Sequence, residues 1–74
     1  MGVASMTANE LRLHLEHLID TYVPDQVAKA HLLALVARPN VPVKGILVEL
    51  EPFLAGAISQ ADAKIVKDIA FHFN

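Results

Sequence analysis

Val43-Lys44-Gly45-Ile46-Leu47-Val48-Glu49-Leu50-Glu51-Pro52-Phe53-Leu54-Ala55-Gly56-Ala57 is the stretch that decides the fold class. Ile46, Val48 and Leu50 alternate with Glu49 and Glu51, a period of two that suits a half-buried strand. At 100° per residue, however, Val43, Ile46, Leu47, Leu50, Phe53, Leu54 and Ala57 fall on one arc of a helical wheel. The helical arc gathers more apolar residues, so a helix over 43–57 is expected. Pro52 then lies on the opposite, solvent face, where its missing N–H bends the helix around the core. Gly56 loosens the end. The expected class is all-α: a small bundle of three to four short helices, forming a homodimer.

Upstream, Thr7-Ala8-Asn9-Glu10 matches a capping box, in which hydroxyl and carboxylate satisfy each other's free backbone N–H groups. Leu11, Leu15, Leu18, Ile19 and Tyr22 share an arc, giving a first helix over 8–22. Pro24 suits the first position of a second helix over 24–37, with Asp25 at its positive end. This helix is apolar on more than one side: Ala28, Leu32, Leu35 and Val36 form one face, Ala30, Leu33 and Ala37 another. Arg38-Pro39-Asn40-Val41-Pro42 is a loop. Ser59-Gln60-Ala61-Asp62 resembles a second capping box, with Asp in the Glu position, opening a last helix over 60–73. Ile65, Val66, Ile69, Ala70 and Phe73 form its apolar arc. Met1-Gly2-Val3-Ala4-Ser5 reads as an added leader, with Met6 as the natural start and 6–74 as the single domain.

The composition narrows the function classes. Hydrophobic residues are 54% of 74, more than so short a chain easily hides; a domain of this size buries only about 60% of its unfolded surface. The net charge of −2 argues against an independent nucleic-acid binder, which neutralises phosphates with a basic stripe. With no cysteine, a disulfide framework or thiolate zinc site is excluded, and a reducing cytoplasmic setting is expected. The longest uninterrupted apolar run, 32–37, falls far short of the roughly 20 residues that span a bilayer.

Chemistry is sparse. Glu10, His14 and His17 share a helical face but suggest no fourth zinc ligand, and the spacing is not the His-Glu-x-x-His pattern. His31 reads as a helix-edge residue with one hydrogen bond, and His72 as a cation in a last helical turn. No nucleophile–base pair, phosphate loop or metal cluster is visible, so no catalytic residue, metal or cofactor is assigned and the chain is not expected to be an enzyme. The two-sided helix nominates Ala30, Leu32, Leu33, Leu35, Val36 and Ala37 for self-association. Leu13 among Glu16, His17 and Asp20, and Phe71 near Lys67, have the make-up of apolar anchors inside a polar rim, and are candidates for binding a partner.

The opening Met6-Thr7-Ala8-Asn9-Glu10-Leu11-Arg12, followed by short helices in a chain of this size, resembles the small phage-encoded anti-activators of bacterial quorum sensing. The resemblance implies a compact helical homodimer that binds the DNA-binding domain of a host transcriptional activator and blocks promoter binding. Related small phage proteins also inhibit the ATPase that extends type IV pili. The resemblance assigns no individual residue. Two other classes compete with it. One is a helix-turn-helix DNA-binding regulator made by 24–37 and 43–57, although the second of these carries Glu49 and Glu51 against Lys44. The other is a small dimerisation subunit of a larger assembly.

Overall fold

The computed structural model describes residues 6–73. The proposed leader, residues 1–5, lies outside them. The described residues form four helices and no strand: α1 (Ala8–Tyr22), α2 (Gln26–Val36), α3 (Val43–Leu54) and α4 (Gln60–Phe73). The helical reading of 43–54 therefore holds, and the alternation within it is coincidental.

Each boundary has a local cause. Thr7 closes the expected capping box: its hydroxyl accepts from the Glu10 N–H at 3.1 Å, and its own N–H donates to the Glu10 carboxylate at 2.8 Å. The Thr7 N–H, and after it the Thr7 hydroxyl, hold the Glu10 carboxyl below the usual carboxylate range. α1 stops where Pro24 forces Val23 into extended backbone, φ −99° and ψ 105°. α2 begins two residues later than expected. The Asp25 carboxylate accepts from the Ala28 N–H at 2.8 Å, which makes Asp25 the cap and leaves Pro24 outside the helix. At its other end α2 stops at Val36, with Ala37 as its cap.

α3 ends at Leu54, three residues short of the expected Ala57. Gly56 adopts φ 77°, a left-handed conformation that is strained for any residue with a Cβ. It turns the chain between α3 and α4, and the N–H groups of Ala57 and Ile58 both donate to the Leu54 carbonyl at 3.0 Å. Ala57 is exposed, so it does not extend the buried arc. Pro52 is tolerated inside α3 because it is exposed there and the Val48 carbonyl it leaves unpaired belongs to an exposed residue that water can reach.

α1 is the hub. It packs against α2, α3 and α4, and α3 packs on α4. The core joins Leu11, Leu15, Leu18 and Ile19 of α1 to Leu32 and Val36 of α2, Ile46 and Leu50 of α3, and Ile69 of α4. No buried side-chain nitrogen or oxygen among the described residues lacks a hydrogen-bond partner.

Candidate functional site

Two polar ties hold the helices that present the outer surface. The first joins α1 to the start of α4. The Tyr22 hydroxyl donates to Asp62 Oδ2 at 2.6 Å and accepts from the Ser59 N–H at 3.2 Å. His17 Nε2 lies 3.0 Å from Asp62 Oδ1. An ionised carboxylate only accepts, so Nε2 carries the hydrogen and Nδ1 faces the Thr21 hydroxyl at 3.5 Å. The Tyr22 hydroxyl, and after it His17, hold the Asp62 carboxyl below the usual carboxylate range. Only half of the expected second capping box forms. Ser59 Oγ accepts from the Asp62 N–H at 3.1 Å, but the Ser59 N–H goes to Tyr22 because the Asp62 side chain is occupied by α1.

The second tie joins α1 to the end of α2. Arg12 donates from Nε to the Val36 carbonyl at 3.3 Å and from Nη2 to the Arg38 carbonyl at 3.2 Å. α2 has no basic residue in its last turn, so Arg12 is the cation at its negative end.

Glu10 is held by Thr7 and His17 by Asp62, and among the described residues no group of three or more His, Asp or Glu side chains is placed to share a metal ion. His31 Nε2 reaches Glu49 Oε1 at 3.4 Å on the surface between α2 and α3. His72 lies edge-on to the Phe71 ring at 5.4 Å.

The apolar surface divides into three regions. On α1, Leu13 is 64% exposed, with Glu16 and Asp20 exposed on the same side and His17 turned to Asp62. On α2 the nominated set splits. Leu32 and Val36 are spent in the chain's own core and Leu33 and Leu35 are half-buried, so Ala30 and Ala37 are its exposed members; Val27, outside the set, is 78% exposed in the first turn of α2. The third region was not foreseen. An open apolar groove of about 520 Å³ runs between α3 and α4. Leu47, Leu54 and Ala55 line it from the α3 side, Ala63 and Val66 from α4, and Ile58 from the segment between them. Val48, 69% exposed, Glu51 and Lys67 also line it. Phe71, 83% exposed, follows Lys67 by one turn along α4. Lys67 and Phe71 thus share one ridge, whereas Leu13, Glu16 and Asp20 sit on a different helix. The sequence signal for the groove was Val48, the one large apolar residue of α3 that falls outside the helical arc.

No protein-family model, curated protein or solved structure matches this chain. No helix among the described residues is long and apolar enough to cross a membrane.

Proposed function

We propose that the chain is a non-enzymatic helical interaction module that self-associates and inhibits a host regulatory protein by stoichiometric binding. The observation that carries this reading is the set of large apolar side chains left uncovered beside charges: Leu13, Val27, Val48 and Phe71, all more than three-fifths exposed around the domain's own buried core. Isolated exposed apolar residues are ordinary; here Val48 borders an apolar groove and Leu13 sits in an acidic rim, the arrangement of an interface anchor.

The resemblance of the opening segment to phage anti-activators supplies the target class. In this reading the partner is a bacterial quorum-sensing activator, bound through its DNA-binding domain, with the type IV pilus extension ATPase as a second target. The exposed Glu16 and Asp20 around Leu13 suit the basic surface with which such a domain holds DNA. The helix-turn-helix alternative is disfavoured because α3, its second helix, exposes Glu49 and Glu51 against Lys44.

A promoter gel shift tests the proposal. Adding the protein to the activator's DNA-binding domain should abolish the shifted band near one equivalent, and Leu13→Asp should weaken the effect at least tenfold. An unaffected band at large excess refutes the inhibitor reading. A shift of the DNA by this protein alone, at low salt, would place it in the DNA-binding class instead.

A further inference from the structure

We propose that the α3–α4 groove is a two-fold self-association surface, in which Glu51 of one copy pairs with Lys67 of a second copy and Lys67 with Glu51. The proposal rests on the self-association part of the reading above and gives it a surface and a register.

Charge is the first argument. The groove carries one acid, Glu51 on α3, and one base, Lys67 on α4, and no other ionisable residue among the described ones lines it. Both are exposed, and neither has an oppositely charged side chain within 4 Å among the described residues. A two-fold axis that passes between these residues exchanges their positions. It therefore brings each Glu51 over the partner's Lys67, twice, as a self-complementary interface requires. The outer face of α1 has the opposite property. Its exposed Glu16 and Asp20 would meet like charges in a second copy, which suits a basic foreign surface and opposes self-pairing.

The apolar part agrees. Val48 lines the groove with little cover, and Leu47, Ala55 and Val66 supply apolar lining against which a second Val48 can pack. On α2, by contrast, Leu32 and Val36 are internal, the exposed members of the nominated set are Ala30 and Ala37, whose side chains bury little area, and the one large exposed apolar side chain, Val27, stands in the first turn.

Charge exchange tests the register. Sedimentation equilibrium of the full chain should give twice the 8.0 kDa chain mass at micromolar concentration. Glu51→Lys and Lys67→Glu, each alone, place like charges opposite one another at both pairs. Each should weaken dimerisation at least tenfold while keeping helical circular dichroism. Mixing the two variants in equal amounts restores both attractive pairs, so the mixture should return to the doubled mass. That rescue also excludes misfolding as the cause of the single-variant loss.

A monomeric wild-type chain at hundreds of micromolar overturns the proposal. Under that result, loss of promoter inhibition by Val48→Asp would assign the groove to a foreign helix. Single variants that dimerise like the wild type also overturn it, as does dissociation by Ala34→Glu with Glu51→Lys and Lys67→Glu unaffected, which moves the contact to α2. A charge-exchanged monomer that still inhibits separates this surface from the inhibitor reading, while a dimer that rescues as expected but inhibits nothing refutes only that reading.

Discussion

Replacing Arg12 with methionine keeps a long apolar stem on α1 and removes both donors from the end of α2. The two N–H···O distances, 3.3 Å to the Val36 carbonyl and 3.2 Å to the Arg38 carbonyl, lie at the long end of the useful range, so each bond is credited modestly. The bond to Val36 is partly buried and is worth about 1 kcal/mol, the exposed bond to Arg38 about 0.5 kcal/mol. Loss of the cation from the negative end of α2 adds about 0.5 kcal/mol. The expected cost is about 2 kcal/mol. Unfolding entropy near 2.1 cal/mol/K per residue amounts to about 0.15 kcal/mol/K for this chain, so Tm should fall by about 13 °C. Thermal circular dichroism at 222 nm measures it, with Lys44→Met as a surface control and Arg12→Lys as an intermediate that keeps the charge but not the two-pronged geometry. A change for Arg12→Met within about 2 °C of the control would refute the claim that this guanidinium caps α2.

Two further outcomes follow from the same structure. The Asp62 carboxyl is held below its ordinary pKa in the folded chain, so the unfolded chain binds more protons as pH falls below about 4, and stability present at neutral pH is lost in that window; Tm measured from pH 7 to pH 3 should fall less steeply for Tyr22→Phe than for the wild type, and parallel curves would refute the assignment. Leu50 is fully buried, and Leu50→Ala should cost about 2–5 kcal/mol, a large share of a small domain's total stability, so the variant should lose cooperative melting or unfold near room temperature; a Tm within a few degrees of wild type would show that α3 is not seated in the core.

Periodicity and local capping were legible because their determinants are contiguous. Thr7 and Glu10 are three residues apart and need no tertiary information, and the same holds for the apolar arcs of α1 and α4. The start of α2 was misplaced by two residues because Pro24 and Asp25 both suit a helix start, and the hydrogen bond from Asp25 to Ala28 decides between them. The end of α3 was overestimated because Ala57 fits the wheel, whereas the positive φ of Gly56 turns the chain before that residue. Long-range polar ties gave no sequence signal. The oxygens that Arg12 reaches are backbone carbonyls, which every residue possesses, and the Tyr22–Asp62 bond joins residues 40 positions apart. For the surface, Leu13 and Phe71 could be singled out because they break their own helical pattern. Val48 breaks the pattern of α3 in the same way, but the groove it borders exists only where α3 and α4 lie side by side.

The position of α1 as the hub has a consequence for how the chain is made. Synthesis proceeds from the N-terminus at about 5–20 residues per second, so the helix that every later helix docks against is produced first. α2 can settle on it at once, and α3 next. α4, which reaches α1 through Tyr22 and His17, comes last and completes the groove wall with Ala63 and Val66. A circular permutation that opened the chain between α1 and α2 would keep every contact but deliver the hub last. The same final structure would then have to form from three helices whose α1-facing surfaces stay uncovered until the element that organises them arrives.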